Sequence, residues 1–273
     1  MFSSLSSFQS FIQNKLEQVV ITTREILSNQ FGLPIPDIYI PFRSDAYENW
    51  ATGTPNTTNI TSTNNPTIVS NGFSSNSQYL RCVKASNQRL NLPNYSMSTV
   101  TSFSVSMWVN FGSGNSNYAN VWCITNYYRP GGADSTNKYT WAIFYLPSSS
   151  QIRFEYARDG SVGTVRRGYT HQSTVSINQW YHIVAIQKTD NSMELWVNNV
   201  KQTATTLTGT NPTTVPTYNW TSTFHALARS SYGGDSATEV GIDDFRFYTN
   251  NVLTSNQIQT LYDARNQAND FIN

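Results

Sequence analysis

The chain has 273 residues, with 17 Lys and Arg against 16 Asp and Glu and a formal net charge of +1. That balance leaves no clustered positive charge for neutralising phosphates, which argues against a nucleic-acid partner, and no apolar run approaches the roughly 20 residues of a bilayer crossing. Aromatic residues make up 14% of the chain, enough apolar surface to exclude disorder throughout.

Residues 1 to 31 carry the first recognisable pattern. Leu5, Phe8, Ile12, Leu16, Val19, Thr23 and Ile26 recur at spacings of three and four between Gln, Asn, Lys and Glu, which predicts an amphipathic helix. Gly32 ends it, and Pro34, Pro36 and Pro41 hold the next segment extended. Such a helix needs a partner for its apolar stripe: the domain, copies of itself in a homo-oligomer, or a larger assembly. The expected division is therefore 1–37, a docking or oligomerisation helix with a Pro-rich linker, and 38–273, one large domain. The opening MFSSLSSFQSFIQNK lacks the basic segment and uninterrupted apolar core of a standard secretory signal.

From Ile38 onward the period changes to two. Phe103, Val105, Met107, Val109 and Phe111 share one face of a strand; Ile152, Phe154 and Tyr156 alternate with polar neighbours; so do Met193, Leu195 and Val197. The runs Tyr139–Leu146 and Trp180–Ile186 are more continuously apolar and predict strands covered on both sides. Gly-, Asn- and Ser-rich clusters separate them, and no helical segment intervenes, so the domain is expected to be an all-β, two-sheet antiparallel sandwich. Thr254 with Gln257 three residues later is a capping-box pattern that predicts a short closing helix with Ile258, Leu261 and Tyr262 on one face. Two cysteines, Cys82 and Cys123, lie in separate strand-like runs, either as inert buried thiols or as a single bond. Sequons at Asn56, Asn59, Asn94 and Asn219 carry little weight where Ser, Thr and Asn make up about a third of the chain.

Several landmarks fall in a recognisable order. They are the early PFRSD at 41–45, SFSVSMWV at 102–109, QWYHIVA at 179–185, the hairpin MELWVNNV at 193–200, GIDDFRFY at 241–248 and LTSNQIQTLY at 253–262. Together they resemble a laminin G-like jelly-roll domain of the concanavalin A-like lectin/glucanase superfamily, over roughly residues 38 to 263. One departure is Asn198-Asn199, where the family usually has a turn ending in Gly; Asn tolerates the left-handed conformation, so the turn is expected to survive. The resemblance implies a jelly roll that binds glycans or proteins, with some relatives hydrolysing glycans.

Strand parity places Asp243 on the face of Phe245 and Phe247, inside the core, where a carboxylate must be satisfied by backbone donors or by a cation. The resemblance implies a structural calcium ion there, held by Asp243 with Asp45 as partner; the alternative is a carboxylate capping backbone N–H groups. The loop with Tyr127, Tyr128, Arg129 and Asp134, and that with Tyr232 and Asp235, offer rings for stacking on a sugar or a protein and polar groups for its hydroxyls. Trp50, Trp108, Trp122, Trp141, Trp180 and Trp196 are read mostly as core and not as a sugar platform.

Catalysis is not expected. Retaining glycosidases need two carboxyl groups about 5 Å apart, and none of the six Glu has an acid two residues away. Glu155 with Asp159 and Glu239 with Asp243 are four apart, too far on a regular strand. His171, His182 and His225 show no zinc spacing, and no phosphate loop or nucleophile elbow occurs. The expectation is a non-catalytic, lectin-like surface module, a virion component or extracellular surface protein that binds glycan or mediates adhesion. Its alternatives are a purely structural interaction subunit and, third, a glycan-active hydrolase.

Overall fold

The computed structural model describes residues 32–42, 47–51, 59–73, 77–116, 118–126, 138–159, 165–170, 174–190, 192–205, 220–231, 235 and 237–263. Its first strands are β1 (Ile38–Ile40), β2 (Thr61–Thr63), β3 (Thr67–Ser70), β4 (Gln78–Cys82), β5 (Arg89–Asn91) and β6 (Phe103–Phe111). Then come β7 (Ala119–Thr125), β8 (Lys138–Leu146), β9 (Gln151–Asp159), β10 (Val165–Thr170) and β11 (Trp180–Gln187). The remainder are β12 (Met193–Val197), β13 (Val200–Lys201), β14 (Ala204–Thr205), β15 (Phe224–Leu227), β16 (Val240–Thr249) and the helix α1 (Ser255–Asp263). The amphipathic helix expected over 1–31 lies outside the described residues.

The strands form two antiparallel sheets. The first runs β13-β12-β11-β6-β16-β4-β3, with β1 also paired to β16; the second runs β14-β10-β9-β8-β7-β15-β5-β2. Their facing sides make the core. Phe103, Val105, Met107, Val109 and Phe111 of β6 meet Trp141, Ile143, Tyr145, Ile152, Phe154 and Tyr156 of β8 and β9, as the period-two pattern predicts. The hairpin between β12 and β13 closes on Asn198 (φ 48°) and Asn199 (φ 62°), a two-residue turn whose twist suits the flanking strands.

A second apolar layer covers the outer side of the first sheet. Leu33, Leu253 and the α1 residues Ile258 and Leu261 pack on Val184, Ile186 and Tyr248, and Tyr262 stacks on Trp108 at 5.8 Å between centroids. The capping box forms as expected: Thr254 N donates to Gln257 Oε1 (2.9 Å) and Gln257 N donates to Thr254 Oγ1 (3.3 Å). Because α1 lies on this side, β11 is covered on both faces: Ile183 and Ala185 point to the sandwich core, His182 and Val184 to the outer layer.

One strand departs from simple alternation. Val240 and Ile242 point into the core, and so do Phe245 and Phe247, because a bulge between Asp243 and Arg246 inserts a residue opposite β6. Asp244 takes up the extra residue with φ 48°. The expectation that Asp243 shares a face with Phe245 and Phe247 is therefore corrected. Asp243 faces the outer layer, cross-strand from the buried Trp108.

Candidate functional site

The outward side of the second sheet differs from that of the first: it has no helix over it among the described residues, and it holds a cavity of about 190 Å³. The floor comes from the outward-facing positions of β8 and β9. Thr140, Ala142 and Phe144 alternate with the core residues Trp141, Ile143 and Tyr145, and Glu155 and Ala157 alternate with Phe154 and Tyr156. Cross-strand pairing sets Glu155 opposite Ala142 and Ala157 opposite Thr140, so small side chains surround the carboxylate.

An aromatic wall rises on one side, where Tyr118 meets Phe144 edge to face (5.3 Å, 81°). Tyr118 is 40% exposed, with its ring partly in solvent. Asn120 lines the same side, its backbone oxygen accepting from Thr238 Oγ1 at 2.7 Å. The other wall is Ser230 and Asp235, with Ser230 Oγ donating to Asp235 Oδ2 at 2.6 Å. Arg229 Nη1 donates to the Asp235 backbone oxygen at 3.1 Å, which fixes that turn. At the rim, Arg153 sits 3.8 Å from Glu155 and 5.9 Å from the centre of the Phe144 ring. Rings, an amide and two carboxylates thus face one small space, the chemistry that holds a polyhydroxylated ring.

Of the residues singled out in the sequence, Asp235 lines this cavity. Tyr127, Tyr128, Arg129, Asp134, Tyr232 and Asp45 lie outside the described residues. The loop bearing the first four joins β7 to β8, and Thr140 of β8 lines the cavity. Sequence reasoning missed Tyr118, Asn120, Phe144 and Glu155. The run 139–146 reads as covered on both sides, and it is: outward of the core residues, Ala142 and Phe144 are buried in a small cluster with Cys123, Phe224 and Ala226, and with Thr140 they also bound the cavity.

The carboxyl of Asp243, 1% exposed, is held from several directions. Oδ1 accepts from Asp244 N (2.8 Å), Oδ2 from Phe73 N (3.4 Å), and the Ser77 hydroxyl bonds to it as well. Burial pushes its pKa well above the usual carboxylate range and the neighbouring Asp244 charge adds to the rise, against the lowering by these hydrogen bonds. Donors surround it where calcium would need oxygen ligands, so these groups fit the backbone-capped carboxyl rather than the cation. Among the described residues no three His, Cys, Asp or Glu side chains are grouped to hold a metal ion. Asp244 instead pairs with the buried Arg246 at 2.9 Å, whose guanidinium lies 4.3 Å from the centre of the Tyr39 ring.

The described histidines and cysteines are structural in their contacts. His182 bonds Ser106 through Nε2 (3.0 Å), and burial lowers its pKa to about 3. His225 accepts from Trp122 Nε1 (2.9 Å) and contacts the Pro93 oxygen (2.8 Å); burial lowers it to about 4. Cys82 and Cys123 are free buried thiols, each pushed up to about 12 by burial. No described helix is long and apolar enough to cross a membrane.

Comparison with solved structures finds the same architecture in proteins of low identity. The ligand-binding domain of botulinum neurotoxin serotype D, solved in complex with N-acetylneuraminic acid, is 14% identical with a TM-score of 0.54, covering 84% of this chain and 51% of that one. The binding domain of Paraclostridial Mosquitocidal Protein 1 is 14% identical at 0.52, covering 83% of this chain and 51% of that one. A mutant of Trypanosoma rangeli sialidase displaying trans-sialidase activity is also 14% identical at 0.56, covering 92% and 39%. The chain spans about half the length of the first two and less of the third. No curated protein sequence matches it. Residues 84–259, more than half the chain, match the family described as the concanavalin A-like lectin/glucanases superfamily, and the two-sheet sandwich agrees: the chain belongs to that superfamily.

Proposed function

We propose that this chain is a non-catalytic, lectin-like recognition module that binds a glycan in the cavity on the outer side of the second sheet. The observation that carries this reading is the cavity itself: Phe144 and Tyr118 form a wall for the C–H face of a sugar, while Asn120, Glu155 and Asp235 face the positions its hydroxyls would take. Similarity to binding domains, one of them solved with a bound sugar, supports it. Tyr127, Tyr128, Arg129, Asp134 and Tyr232 extend the same surface in this reading.

We further propose that residues 1–31 dock the module to a larger assembly or to its own copies, so that it serves adhesion on a virion or cell surface. Support comes from the heptad-spaced apolar stripe and a surface rich in Ser, Thr and Asn.

A glycan array tests the first proposal. Wild type binds at least one glycan class, and Tyr118→Ala, at the exposed ring of the wall, loses that binding by about tenfold or more with an unchanged melting temperature. Binding that survives in Tyr118→Ala, or no binding to any glycan, removes the reading. One observation favours a second reading: Glu155 and Asp235, from distant parts of the chain, line one cavity as an acid pair would. Release of reducing sugar from a polysaccharide, lost in Glu155→Gln, would establish a hydrolase.

A further inference from the structure

Cross-strand pairing sets five residues in one row over the outward side of the first sheet. Trp180 of β11 stands opposite Asn110 of β6, Asn110 opposite Gly241 of β16, Gly241 opposite Arg81 of β4, and Arg81 opposite Thr67 of β3. They alternate with the core residues Val109, Phe111, Ile242 and Leu80, so they face away from the sandwich core. The neighbouring row, His182 and Trp108, lies against Tyr262 of α1. Trp180, read from the sequence as core, is half-buried instead and belongs to neither apolar layer.

Two rings rest on this row. A Cβ on Gly241 would come within 2.9 Å of Tyr79 Cδ2 and 3.2 Å of Trp180 Cη2, so only a residue without a side chain lets both rings reach the backbone. There they meet edge to face at 5.3 Å and 81°. To reach Gly241 the indole crosses β6, the strand between, and so lies along the sheet. The result is a low, half-exposed aromatic patch.

Opposite charges flank it. Arg81 is exposed, and Glu239, two residues before Gly241, lays its carboxylate against Gly112 and Gly114. Among the described residues neither side chain has an ion-pair or hydrogen-bond partner. Other charges on this side are paired: Glu194 with Lys188 and Lys201, and Asp244 with Arg246. Rings at the centre with one unpaired charge of each sign make a surface complementary to itself. Turned by a twofold axis onto a second copy, it sets Arg81 of one against Glu239 of the other and rings against rings. Trp, Tyr and Arg are also the residues that carry most of the energy of protein contacts.

A stable interface buries roughly 800 Å² on each partner, more than two half-buried rings supply. Gly32, where residues 1–31 join the fold, lies on this same side, bonded to Gln257 of α1. We infer that the patch is the face on which two copies of this chain meet, held there jointly by residues 1–31. This deepens the docking reading of residues 1–31 and rests on it. The copies stand back to back, and their cavities point in opposite directions.

The test is sedimentation velocity on the full chain over a concentration series. Wild type self-associates, and Trp180→Ala, Arg81→Glu and Glu239→Arg each weaken association by about tenfold or more. Arg81 is exposed, so Arg81→Glu keeps its melting temperature and its glycan-array profile. An equimolar mixture of the Arg81→Glu and Glu239→Arg chains, each repelling its own copies, regains association as a one-to-one pair. Substituted chains that associate like wild type, while deletion of residues 1–31 abolishes association, overturn this inference and leave the docking reading standing. Loss in both charge variants without recovery on mixing overturns it too. A wild-type chain that stays monomeric at every concentration overturns self-association through either element.

Discussion

Asp243 shows how much a single residue's setting depends on what the chain does around it. Its burial on a strand is legible from the sequence, but its face is not. Parity counting assumes an unbroken ladder, and the extra residue at Asp244 shifts it by one. The raised carboxyl pKa has a definite sign in stability. Between the ordinary unfolded value and the raised folded one the native state holds more protons, so the contribution of Asp243 is complete in acid and is lost as pH rises through the folded pKa. Asp243→Asn should therefore melt higher than wild type at pH 8 and lose that advantage near pH 4. A chelator should leave the wild-type melt unchanged, and a fall of several degrees would restore the calcium alternative. His182 and His225 act in the opposite direction. Their folded values, about 3 and about 4, lie below the ordinary value, so the stability they contribute is present above about pH 6.5 and drains away as pH falls toward 4. Thermal melts between pH 7 and 4 should show this decline, and a His225→Gln variant should flatten part of it.

At the scale of elements, the strands and the closing helix were the most readable part of the chain, because period-two alternation and a capping box are local signals. The hairpin at Asn198-Asn199 was readable for the same reason: Asn enters the left-handed region at little cost. Asn199→Ala removes the short polar side chain that makes φ 62° tolerable and should cost about 1–2 kcal/mol in a urea titration with an unchanged slope. The cavity was hidden for the converse reason. Its lining comes from β7, β8, β9 and the segment between β15 and β16, and only the tertiary fold sets Glu155 and Asp235 around one cavity. Nothing in the spacing of those two acids announces that they meet, while the Tyr-rich loops that drew attention are conspicuous in composition alone.

For the whole molecule, the two outer sides of the sandwich have different work. One is sealed by Leu33, Leu253 and α1; the other carries the cavity. The Gly32 oxygen accepts from Gln257 Nε2 at 2.5 Å, so the chain enters the fold beside the start of α1, on the sealed side. Leu33 is the first described residue that packs on the outer layer. Deleting residues 1–31 should then preserve the melting transition and any glycan affinity while abolishing self-association or incorporation into an assembly, as read by light scattering and co-sedimentation. A practical corollary concerns handling. A biotin or bead attached at Gly32 or at Asp263 is anchored on the side of the first sheet, away from Glu155 and Asp235, so molecules immobilised at either point should keep their glycan affinity.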